Sequence, residues 1–172
     1  MYSKIKFLGH PLHPMLVAFP IVLYTAALVG FVLYAWQGDV FWFRLGFVAN
    51  IAGVVMALVA AVPGFLDWAL GIPGEHEAKR VGTTHMALNV TALVLFALNA
   101  WLLWDQWTAT VPNLKWALLL TALGTLVTVG AGYFGYELIQ RHHVGVDLTP
   151  EQARYEPTSA EQTRSQGAYR RV

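Results

Sequence analysis

Six histidines are the residues of this chain best suited to chemistry, because imidazole nitrogens bind metal ions and haem iron. They lie beside the ends of long apolar segments, at His10, His13, His76, His85, His142 and His143. When those segments are threaded up and down through a bilayer, all six histidines fall on the same face. A group of imidazoles at one membrane depth predicts a cofactor or metal site there.

The elements that position these histidines are four apolar segments. Each approaches or exceeds the roughly 20 residues that are needed to cross a bilayer, and they cover residues 15–35, 40–66, 85–104 and 114–138. Only 12% of the residues are charged, whereas about a quarter is usual in soluble domains. We therefore predict an all-α, integral-membrane four-helix bundle with up-down-up-down topology over residues 1–146. A flexible polar tail is predicted for residues 147–172.

Charge predicts the orientation and excludes some partners. The histidine face carries most of the cations, namely Lys4, Lys6, Lys79, Arg80, Arg141 and the arginines of the tail. The positive-inside rule then places that face and both termini in the cytoplasm, at the bacterial inner membrane. A net charge of +1 argues against nucleic acid as a partner. The absence of cysteine excludes disulfides, iron–sulfur clusters and cysteine-ligated haem.

Three stretches of sequence bring candidate ligands to this face. His10 and His13 precede the first span, and the proline after each favours extended backbone. His85 opens the third span, with Asn89 one turn deeper on the same helix face. His142 follows the fourth span. The sequence therefore predicts cofactor binding by residues from three helices.

Supporting roles are predicted for nearby polar residues. Asp67 ends the second span, where a carboxylate is costly unless it is paired, and its candidate partners are Lys79, Arg80 and the histidines. Glu137 and Arg141 have the spacing of a helical ion pair. The cations Lys4, Lys6, Arg80 and Arg141 are candidates for holding haem propionates. The small residues Gly124, Thr128 and Gly132 recur every fourth position, which is typical of close helix packing.

The order of these motifs resembles a known family. His-Pro-Leu-His-Pro at 10–14 is followed by Phe19-Pro20, Asp67-Trp68, the stretch 78–82 with His85, and a closing stretch from Gly135 to Val146. Together they resemble the bacterial four-helix membrane domain of unknown function numbered twenty-two thirty-one. That family usually has glycine at the position of His143, which favours His142 as the functional histidine. Its members are distantly similar to cytochrome b-type bundles, which implies electron transfer.

Three functional hypotheses follow. Nothing in the sequence resembles a nucleophile with its base and acid, so an electron carrier or accessory subunit is favoured over an enzyme. The first is an electron carrier that binds haem b through His85 and either His13 or His142. Its partners would be a quinone or a larger redox complex. The second is a non-haem site for iron, copper or zinc, with His10, His13, His85 and His142 as ligands and Asp67 as a possible carboxylate. The third is a cofactor-free accessory subunit that packs against a larger membrane complex.

Overall fold

Four long helices form the protein. The computed structural model describes residues 3–146, together with 149, 151 and 154. The helices are α2 (Ala18–Gln37), α3 (Val40–Leu66), α4 (Glu77–Leu103) and α5 (Lys115–Gln140). Each belongs to a helical segment that is long and apolar enough to cross a membrane. Helix α2 contacts α3 and α5, and α4 contacts α3 and α5, so the four close into a bundle. The predicted all-α membrane four-helix bundle is confirmed, whereas nearly all of the predicted tail lies outside the described residues.

The histidine–proline motif folds differently from the extended segment that its prolines predict. Strands β1 (Lys6–Phe7) and β2 (His10–Pro11) form a small antiparallel hairpin. Helix α1 (Leu12–Leu16) follows immediately and places His13 in its first turn. Proline is tolerated in a first turn because the N–H that it lacks has no partner there anyway. Pro14 can therefore follow a helical His13.

Side-chain caps set where the long helices begin. Asp39 accepts a hydrogen bond from the backbone N–H of Phe41 at 2.9 Å and starts α3. His76 accepts one from the N–H of Ala78 at 3.1 Å and starts α4 at Glu77. This start lies upstream of the apolar segment from residue 85, so His85 is about two turns inside α4 rather than at its entrance. At the end of α3, a π-helical turn covers Asp67–Gly71.

The two helical hairpins, α2–α3 and α4–α5, bury corresponding positions. In α2, Tyr24 and Phe31 are buried, and in α4 the equally spaced Phe96 and Leu103 are buried. The number of residues between His13 and Tyr24 also equals the number between His85 and Phe96. The second hairpin therefore buries residues at the same sequence spacing as the first.

Contacts at the centre of the bundle relate the two hairpins to each other. The rings of Tyr24 and Phe96 stack at 3.6 Å with an angle of 2° between their planes. A Cβ at Gly53 would lie 2.7 Å from the Tyr24 ring, and one at Gly124 would lie 2.6 Å from the Phe96 ring. Corresponding residues that touch each other are the mark of a two-fold arrangement. The hairpins are thus related by a pseudo-two-fold axis that passes between these rings.

A buried asparagine pair links α3 to α4. Asn99 donates a hydrogen bond to Asn50 Oδ1 at 3.0 Å, and Asn50 donates to the carbonyl oxygen of Phe96 at 2.9 Å. Both side chains are fully buried. Polar bonds between membrane helices stabilise their association, because a lone amide in hydrocarbon has no water to bind.

We expect Asn50→Ala to lower the free energy of unfolding by about 1 kcal/mol, since it removes both bonds. Reversible unfolding in mixed detergent micelles measures this change. The control is Thr91→Ala, whose hydroxyl bonds only within its own helix at an exposed site and should change stability by less than about 0.5 kcal/mol. Equal stability of the two variants would contradict the structural role of the pair.

Candidate functional site: a paired-histidine cavity

A largely apolar cavity of about 520 Å³ lies between the two hairpins at the histidine end of the bundle. Its volume falls within the range of roughly 300–1,000 Å³ that is typical of small-molecule sites. His13 and His85 both form part of its wall. Their ring centroids are 6.2 Å apart, and their planes are nearly perpendicular at 86°.

His13 lies against α3, where it contacts the helix backbone beside a glycine. Its Nδ1 lies 2.8 Å from the carbonyl oxygen of Ala60. One turn later, a Cβ at Gly64 would come within 2.6 Å of that same nitrogen. Glycine at this position therefore lets the imidazole lie directly on the helix backbone.

His85 makes the equivalent contacts with α5. Its Nδ1 lies 2.8 Å from the carbonyl oxygen of Ala131, and a Cβ at Gly135 would come within 3.0 Å of its ring. The other nitrogen, Nε2, lies 3.2 Å from Nδ2 of Asn89. Each hairpin thus supplies one histidine, docked on an alanine carbonyl and on the glycine one turn further on.

These contacts determine which ring nitrogen is available for chemistry. A carbonyl oxygen only accepts hydrogen bonds, so the hydrogen on each ring must sit on Nδ1. In a neutral imidazole, Nε2 then carries an unprotonated lone pair. A ring nitrogen in this state is a metal ligand whose orientation is fixed by the bond at the opposite nitrogen.

Asp67 fastens the N-terminal segment over this end of the bundle. Its carboxylate accepts hydrogen bonds from Ser3 Oγ at 2.8 Å and from the backbone N–H groups of Lys4 at 2.6 Å and Ile5 at 3.2 Å. These partners differ from the cations and histidines that were predicted for it. Lys79 instead donates to the carbonyl oxygen of Trp68 and lies 3.9 Å from the centre of its ring.

The remaining predicted residues lie outside the cavity wall. His10 is exposed on β2. The ring of His142 contacts the ring of His76, the residue that caps α4, with 5.8 Å between the ring centroids. Within the described chain, no three His, Asp or Glu side chains gather closely enough to hold a metal ion. The structure therefore unites two of the four predicted ligands, His13 and His85, and brings His142 to His76 instead.

Two of the predicted supporting cations, Arg80 and Arg141, are paired with carboxylates at the surface. Arg141 donates to Glu137 at 2.7 Å, which confirms the predicted pair. The hydrogen bond and the negative charge of Glu137 raise the pKa of Arg141. Arg80 lies 3.8 Å from Glu77. None of Lys4, Lys6, Arg80 and Arg141 lines the cavity, whose one charged wall residue among those described is Asp67.

Comparison with known families covers both hairpins. Residues 9–148 match a family model described as a predicted membrane protein, DUF2231. The chain belongs to the DUF2231 family. No curated protein and no solved structure matches it. The two cavity histidines, with the glycines and alanines that hold them, lie inside the DUF2231 domain, whereas Ser3 and Lys4 precede it.

Sequence analysis missed the DUF2231 residues that hold the histidines in place. Gly64 and Gly135 are typical of ordinary helix packing when each is considered alone. A comparison of the chain with itself would have found them, because His13 and His85 are each followed at the same distance by Val-Leu-aromatic, at 22–24 and 94–96. The Ala-x-x-x-Gly spacing at 60–64 likewise recurs at 131–135.

We expect Asp67→Ala to release the N-terminal segment of this DUF2231 protein. Hydrogen bonds to a charged group contribute about 1.5–3 kcal/mol each, so amide exchange at Lys4 and Ile5 should accelerate at least tenfold. Hydrogen–deuterium exchange with mass spectrometry measures this. Glu137→Ala, which removes a helix-end carboxylate with a local partner, should leave both amides unchanged. Unaltered exchange in the Asp67 variant would show that the segment is held by other contacts.

Proposed function

We propose that this DUF2231 chain is a membrane electron-transfer protein that binds haem b between His13 and His85. The observation that carries the proposal is the pair of Nε2 lone pairs on the wall of one apolar cavity. Each ring is oriented by the same kind of hydrogen bond, in which Nδ1 donates to an alanine carbonyl oxygen. Two acceptors with no proton between them suit a Lewis acid better than a carbonyl ligand such as a quinone.

The separation of the rings supports a metal between them. A metal ion about 2 Å from one nitrogen of each imidazole, with the rings on opposite sides, separates their centroids by roughly 6 Å. The observed separation of His13 and His85 is 6.2 Å. His13 and His85 would hold the metal through their Nε2 atoms, and Nε2 of His85 would exchange its contact with Asn89 for the metal.

The ligand count favours haem over a bare metal ion. A non-haem iron, copper or zinc site usually takes three or more protein ligands, and the described residues offer two at this position. A porphyrin supplies four nitrogens of its own and requires only two axial ligands. The largely apolar wall also suits a macrocycle that is mostly hydrocarbon.

The chain's own groups then have distinct tasks. The carbonyl oxygens of Ala60 and Ala131 fix the ring directions and raise the basicity of Nε2. Gly64 and Gly135 let the rings approach the helices, and the apolar wall excludes water. When bound, the haem iron supplies one-electron oxidation and reduction. We place the site at the cytoplasmic face of a bacterial inner membrane, with a quinone or a redox complex as electron partner, because the flanking cations favour that orientation.

We expect His13→Ala and His85→Ala each to reduce the haem content of the purified protein to less than a tenth. The measurement is the dithionite-reduced minus oxidised visible spectrum of detergent-purified protein, with the helical circular dichroism signal as a check on folding. His10→Ala and His142→Ala are the matched controls and should retain haem. Both lie outside the cavity wall.

Other outcomes of that experiment distinguish the remaining hypotheses. A flat spectrum with one bound metal ion per chain would overturn haem in favour of the non-haem site. A flat spectrum without metal would overturn both and leave the accessory-subunit hypothesis. Loss of haem in His142→Ala together with full retention in His13→Ala would refute the assigned ligand pair.

We expect Gly135→Ala to weaken haem binding about tenfold, because its Cβ would lie 3.0 Å from the His85 ring and shift that ring from its position against the helix. Gly130→Ala is the control on the same helix, since its Cβ would meet only a Leu88 methyl group at 3.9 Å. Haem titration of the apo-protein compares the two affinities. Equal affinities would show that docking of His85 on α5 does not matter for the site.

A further inference from the structure

We infer that the cavity is a slot running right through the bundle, with a window to the bilayer on each side that holds one edge of the bound macrocycle. The windows are the α2–α5 seam and the α3–α4 seam, the two places where the hairpins meet. This inference rests on the proposed haem site. It adds the position of the ring plane and the residues that determine what fits.

The cavity wall obeys the pseudo-two-fold relation. At the α2–α5 seam, the wall includes Ile21 of α2, with Gly132 and Tyr136 of α5. At the α3–α4 seam, it includes the repeat-equivalent residues, which are Leu93 of α4, with Ala61 and Phe65 of α3. The two seams therefore present matching wall residues to one cavity.

At both seams, residues that line the cavity are also exposed, as the edges of an opening would be. At the first seam, Ile21 is 45% exposed and Tyr136 is 63% exposed although both line the cavity. At the second seam, the lining residues Phe65 and Val90 are 52% and 53% exposed. Side chains that line the cavity and are also exposed on the outside of the bundle mark the edges of two windows.

The direction of the slot follows from the two histidines. His13 and His85 come from opposite hairpins, so the line between their rings crosses from one hairpin to the other. A planar macrocycle lies perpendicular to the bonds made by its two axial ligands. Its edges must then extend sideways, toward the seams between the hairpins.

Small residues leave space for those edges. Gly132 lines the cavity, yet a Cβ built there meets no atom of the described part of the chain within 4 Å. Its repeat-equivalent, Ala61, also lines the cavity and is exposed. The helix-packing role predicted for Gly132 from its spacing is thus replaced by a place in an open window.

An independent observation also points to a ligand in the slot. Tyr24 lines the cavity and is 3% exposed, and its hydroxyl group has no hydrogen-bond partner among the residues that the structure describes. A buried hydroxyl without a partner is costly in a membrane interior, where water is scarce. Tyr24 therefore supplies a free donor in the same wall that carries the histidines.

The test fills each window separately. Gly132→Leu and Ala61→Leu add bulk at the two seams without touching either histidine, and leucine is a good helix former. Each should lower haem occupancy at least tenfold at limiting haem. Ala87→Leu is the control, because Ala87 is an exposed residue of α4 outside the cavity wall. It should bind haem like the wild type.

Smaller substitutions keep the test decisive if a leucine variant fails to fold. Gly132→Ala, Gly132→Val and Ala61→Val should lower occupancy in order of added volume, with folding checked by size-exclusion chromatography. Full occupancy in both leucine variants, with haem bound to the wild type, would overturn the slot and leave the histidine ligands standing. Loss at one seam alone would overturn the two-window arrangement. Wild-type protein without haem would overturn the proposed function itself.

Discussion

Two hydrogen bonds, from the imidazoles of His13 and His85 to the carbonyl oxygens of Ala60 and Ala131, are the contacts around which the histidine end is arranged. Each bond brings a ring close to a helix backbone, and a Cβ at the glycine one turn later would crowd that ring. Each also fixes the proton on Nδ1, so that the opposite nitrogen stays unprotonated. The same hydrogen bond thus sets both the position of each ring and which of its nitrogens carries the proton.

His13 and His85 make equivalent contacts, but the segments that carry them are stabilised in different ways. His85 lies within the continuous helix α4, whose own hydrogen bonds hold it in place. His13 lies on the five-residue helix α1, and a helix this short has little stability of its own. The bonds of Asp67 to the N-terminal segment provide the missing support. At the position equivalent to Asp67, the second hairpin has the buried Leu138, which cannot make such bonds.

The sequence predicted the parts of this structure that depend on local composition. Hydropathy located four spans, and the spacing of Glu137 and Arg141 predicted their pair. It did not predict the depth of His85, because polar residues such as Glu77 and Lys79 form the first turns of α4 and hid its start. Nor could local pattern show that Asp67 binds backbone N–H groups more than sixty positions away. The pairing of His13 with His85 depends on the internal repeat of the two hairpins. The side chains of the two halves now match at only a few positions, so the repeat is hard to see in the sequence.

The internal repeat also bears on how the molecule comes together. Each hairpin has its own closely packed helix pair, so each can insert and pair before the other is complete. The cavity exists only after the hairpins meet, and whatever binds to both walls favours the joined state over the separated one by mass action. A ligand held between His13 and His85, as we propose, would therefore also favour assembly of the two hairpins. In a chain cut in the connection between α3 and α4, such a ligand would add to the Asn50–Asn99 pair and the Tyr24–Phe96 stack in holding the two hairpins together.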